Sequence, residues 1–114
     1  MKRAILLVVL VMAAAACNGE KFAEGKQMFR ELLTLRDQLG KEFHEKVVDV
    51  NVANGAHLTV KFINSPLQSQ SVAAKQERAN AVAAFVAKNY PRPVKSVTTE
   101  FAANDAFTGQ MPRP

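Results

Sequence analysis

Val48-Asp49-Val50-Asn51-Val52-Ala53-Asn54-Gly55-Ala56-His57-Leu58-Thr59-Val60-Lys61-Phe62 is the stretch on which the fold turns. Val48, Val50 and Val52 alternate with Asp49 and Asn51, and Leu58, Val60 and Phe62 alternate with Thr59 and Lys61. A period of two puts one set of side chains on a buried face and the other in water. Asn54-Gly55 between the two runs signals a hairpin, because both residues tolerate positive φ. A two-residue loop would pair Val50 with Thr59 and mix apolar with polar side chains on one face. The expectation is therefore a three-residue loop, Ala53-Asn54-Gly55, pairing Val50 with Leu58 and Val48 with Val60. Gly55 would then take the left-handed position of a G1 bulge.

Upstream, Met28, Leu32, Leu35, Leu39 and Phe43 recur at steps of three and four, with Phe29 and Leu33 widening the stripe. This predicts a helix over 22–43, ending either at Gly40 as its C′ residue or near Glu45. Downstream, Asn64 to Gln68 breaks the second strand, and Ser65 with Pro66 and Gln68 has the form of a capping box. The next helix begins near Ser69 or Ser71, carries Val72, Ala79, Val82, Ala83, Val86 and Tyr90 on one stripe, and ends at Pro91. Lys75, Glu77, Arg78 and Lys88 are expected on its other sides. A third strand follows over about 94–102, with Val97, Thr99 and Phe101 on one side. Residues 103–114 hold a lone Phe107, a glycine and two prolines and read as a flexible tail.

The expected architecture is α+β: an αββαβ two-layer sandwich over 22–102, with two helices on one face of a three-stranded sheet. The βαβ step should be right-handed, making the second and third strands parallel. Asp49, Asn51, Thr59, Lys61, Thr98 and Glu100 fall on the other face, a candidate interaction face.

The first residues read differently. Lys2 and Arg3 precede the apolar run Ile5–Met12, and Ala13–Ala16 lead to Cys17, the one cysteine of the chain. A positive start, an apolar run and small residues are the layout of a secretory signal. The uncharged stretch from Ala4 to Cys17 is shorter than the roughly 20 residues a spanning helix needs. Lys2 and Arg3 aside, the 15 Lys/Arg and 10 Asp/Glu residues leave a net charge of only +3. That is too weak and too scattered for a nucleic-acid domain.

Ala14-Ala15-Ala16-Cys17 resembles the lipobox of bacterial prolipoproteins, which favours leucine where Ala14 stands. The resemblance implies cleavage of a signal peptide over 1–16, diacylglyceryl transfer to Cys17, and a tether over 17–21. An ordinary signal cut within Ala13–Ala16 is the alternative. In the same family the residue after the cysteine sorts the protein; Asn18 there implies the outer membrane facing the periplasm in a didermal cell. The order of elements resembles the BON domain of exported bacterial proteins, with Asn54-Gly55 and Leu58-Thr59-Val60 matching its glycine turn and following strand. That resemblance covers about 24–101 and implies binding of phospholipid or envelope polymer.

No catalytic set emerges. His44 beside Glu42 and Glu45 fits a helix cap, and His57 fits a half-exposed strand position. Ser65, Ser69 and Ser71 precede a helix, where capping explains them, and no phosphate-binding glycine loop is present. Neither a cofactor nor a metal is expected, and neither a nucleic acid nor a small-molecule substrate. The expected partners are the membrane, through the lipid, and another envelope protein. The chain reads as a non-catalytic interaction module of the cell envelope.

Overall fold

The computed structural model describes residues 24–112. The signal peptide, Ala14, Ala15, Ala16, Cys17, Asn18 and the tether therefore lie outside the described residues. The chain divides between Arg30 and Glu31 into two units. Helical backbone runs over 24–43 (α1), as the apolar stripe predicts. In the first unit Phe29 is 62% exposed.

In the second unit Leu35 and Leu39 of α1 are fully buried. The helix does not stop at Gly40. It continues to Phe43, and His44 takes the left-handed conformation at φ 55°. The Glu45 amide then donates to the Gly40 carbonyl at 3.0 Å, the six-to-one bond of a Schellman ending. Of the two endings the sequence allows, the later one is observed, with histidine rather than glycine at C′.

Four strands follow: β1 (Val48–Ala53), β2 (His57–Phe62), β3 (Ser96–Ala102) and β4 (Asp105–Thr108), ordered β1-β2-β3-β4 in one sheet. β1 and β2 are antiparallel, β2 and β3 parallel, and β3 and β4 antiparallel. A short 3-10 turn (Pro66–Ser69) capped by Ser65 and the helix α2 (Val72–Asn89) carry the chain from β2 to β3. Ser71 is the α2 N-cap, accepting from the Ala74 amide. Val48, Leu58, Val60, Phe62, Val97, Thr99 and Phe101 are buried on one face, together with Val82, Ala83 and Val86 of α2. Each large apolar side chain among them contributes about 1.5–3 kcal/mol.

The structure overturns several expectations. The sheet has four strands, because residues 105–108, expected in a flexible tail, pair with β3. The hairpin loop is Asn54-Gly55-Ala56, one residue later than expected, so Val50 pairs with Val60 rather than Leu58. Asn54 and Gly55 both have positive φ, 53° and 71°, as a type I′ turn requires. The surplus residue, Ala56, turns its carbonyl to the Lys95 amide at 2.7 Å and so fixes where β3 begins. Val72 is 70% exposed and drops out of the α2 stripe. Lys75 joins that stripe instead: it is buried, and its ammonium lies 2.6 Å from Asp105 Oδ2 of β4.

Two further devices close the unit. Glu45, with a side chain only 4% exposed, accepts from Arg78 Nη1 at 3.1 Å and Ser65 Oγ at 2.7 Å. The Arg78 guanidinium also lies over the rings of Phe43 and Phe62. A charge so deeply buried persists only when its hydrogen-bonding capacity is met. At the other end, Gly109 presses on α2, where an added Cβ would stand 2.2 Å from the Ala79 carbonyl oxygen. The Gly109 amide donates to the Val97 carbonyl, and Asn80 Oδ1 receives the Gln110 amide.

Candidate interaction face of the sheet

Strand register places every expected face residue on the side of the sheet away from the buried core. Asp49 lies opposite Lys61, Lys61 opposite Glu100, and Glu100 opposite Ala106, which makes one row across all four strands. Asn51, Thr59, Thr98 and Thr108 make the next row, and His57 and Ser96 belong to a third. The six residues expected from alternation are therefore brought together.

Hydrogen bonding within the face is sparse. His57 Nδ1 and Ser96 Oγ are 2.7 Å apart, the Thr98 and Thr108 hydroxyls are 3.5 Å apart, and Asn51 Nδ2 donates to Asp49 Oδ2 at 3.5 Å. Among the described residues Lys61 and Glu100 form no ion pair within 4.0 Å, with each other or with a third group. Charges left open in a row are what a complementary partner surface recognises.

Alternation of polar residues missed the apolar end of this face. Val47 and Ile63 continue the same parity beyond Asp49 and Lys61, joined by the Ile63 amide donating to the Val47 carbonyl at 3.1 Å. They are 48% and 45% exposed. A shallow cavity opens there, lined by Lys61, Ile63, Glu100, Ala102 and Ala103 with the Phe62 and Phe101 positions behind. A step-of-two count carried one residue past each strand end would have included both side chains. A second groove lies where α1 meets β1, lined by Arg36, Asp37, Lys41, Lys46, Val47 and Val48 among others.

A serine-type triad would need an acid on the imidazole of His57, and among the described residues no carboxylate bonds that ring. No group of three metal-ligating side chains comes together among the described residues. No helix among them is long and apolar enough to cross a membrane. Away from this face, burial pushes the Tyr90 hydroxyl above its ordinary value, with Arg92 lowering it and Glu31 raising it.

Comparison with known proteins gives no match to a family model, to a curated protein or to a solved structure.

Proposed function

We propose that this chain is a lipid-anchored envelope protein whose folded unit is a non-catalytic interaction module. It presents the open face of its sheet to another envelope protein. The observation that carries this reading is the row Asp49, Lys61 and Glu100, charged, aligned across three strands and lacking ion pairs between its members. Lys2, Arg3, the apolar run Ile5–Met12 and Ala14-Ala15-Ala16-Cys17 support export and acylation. With more than one acyl chain on Cys17 the protein needs no basic patch for attachment.

Cross-linking in intact cells, followed by mass spectrometry, tests both halves. Acylated Cys17 and one dominant protein adduct, weakened by Lys61→Glu or Glu100→Lys without loss of the folded circular-dichroism spectrum, is the expected result. An adduct indifferent to both reversals would remove the face from the reading, and a free Cys17 thiol would remove the anchor.

A second reading is favoured by the apolar Val47 and Ile63 beside Lys61. Such an edge suits a phospholipid surface or an envelope polymer, as the BON-like order of elements implies. Co-sedimentation with anionic vesicles at low salt is its test, and protein left wholly in the supernatant would sink it.

A further inference from the structure

We infer that the β1 edge is a self-association surface, on which a second copy of this chain pairs its own β1 antiparallel across a two-fold axis. The Ile63 amide donates to the Val47 carbonyl, so Val47 and Ile63 are a hydrogen-bonded pair of the β1–β2 ladder. Such pairs alternate with non-bonded ones along an antiparallel ladder. Asp49 and Asn51 therefore spend their backbone groups on β2, whereas Val48, Val50 and Val52 turn N–H and C=O outward from the sheet.

Within β1 that outward row carries no proline, lysine or bulge to guard it. Edge strands are ordinarily blunted by proline, lysine, a bulge or short length. β1 has six residues, an unbroken register with β2, no proline and no lysine. Val50 and Val52 are only partly buried at this margin of the core.

The sequence of β1 is complementary to itself in one register. With the axis at Val50, Val50 meets Val50 of the second copy and Val48 meets its Val52. All three outward pairs are then hydrogen-bonded, and the half-covered valines of the two copies adjoin. On the open face Asp49, the only charge in the strand, lies opposite Asn51 of the second copy and can accept from its amide. Moving the axis to Asp49 would set the two carboxylates against each other, which disfavours that pairing. Moving it to Asn51 leaves the Val48 groups beyond the partner strand, opposite the Asn54 turn. The centred register alone satisfies both backbone and side chains, and it joins two four-stranded sheets into one.

Cysteine pairing in cells tests the register on the full chain. Opposed non-bonded residues have Cα atoms about 4.5 Å apart, well inside disulfide reach. Asp49→Cys co-produced with Asn51→Cys is expected to give a disulfide-linked dimer on a non-reducing gel. Either variant alone places its two thiols about two residues out of register and should stay monomeric. Native mass spectrometry of the detergent-extracted unsubstituted chain should show a dimer, and Val50→Pro, which removes an outward donor, should return it to monomer. If Val50→Pro unfolds, the cysteine pairs decide. A monomer throughout, or equal cross-linking by each single variant, overturns the inference.

Discussion

β1 and β4 are both edge strands, yet the chain treats them differently. β1 is six residues long, regularly paired with β2, and has no strand on its outer side among the described residues. β4 has four residues, a register shift opposite Phe101, an ion pair to α2 and a glycine pressed onto that helix. One margin is secured by contacts across the fold and the other is left available. An edge needs pins where it must not recruit, and can be left plain where recruitment is its use.

The largest blow to this contrast should come from Gly109→Ala. Its Cβ would meet a helix carbonyl that cannot yield without moving α2, at a cost of about 3 kcal/mol. Thermal unfolding should show the loss, and hydrogen exchange should localise it to β4 while β1 amides keep their protection. Lys75→Met should cost about 2 kcal/mol, because Asp105 loses the partner that offsets its partial burial. Adding Asp105→Asn to it should recover much of that loss in the same melt. At the β1 end, Gly55→Ala forces an alanine to φ 71° and should cost about 1 kcal/mol. The hairpin should survive, since Asn54 still supplies half the turn.

The smallest effect is a pH dependence at the end of α2. Folding holds the Tyr90 proton above the ordinary value of 10.0. The native state therefore binds more protons than the unfolded chain as pH rises from about 10, and stability falls over that window. Below it this group has no effect. Tyr90 is the sole tyrosine of the chain, so phenolate absorbance reports it directly, and titration at or below the ordinary value would contradict its burial.

The αββαβ frame was legible because its signals are periodic: steps of two in β1 and β2, and of three and four in α1 and α2. The hairpin register was not, because pairing Val50 with Leu58 or with Val60 keeps the same parity. Apolar alternation cannot choose between them, and positive φ at Asn54 as well as Gly55 decides it. β4 escaped because Phe107 is its one strong apolar residue and its pins lie far away in sequence, Lys75 being 30 residues from Asp105. Lys75 itself looked like a solvated charge, since burial of a lysine becomes tolerable only once its partner is known. The polar face was readable residue by residue from parity, whereas Val47 and Ile63, apolar on a polar face, broke the rule that found the rest.

The Lys75–Asp105 bond also bears on the order in which the chain can mature. A nascent chain that has emerged only through β3 holds an ammonium among apolar side chains with no counter-charge, and a third strand with one side bare. Neither fault is repaired until Asp105 to Gly109 arrive. Completion of the fold thus waits on a segment made after β3, 30 residues downstream of the lysine whose charge it meets.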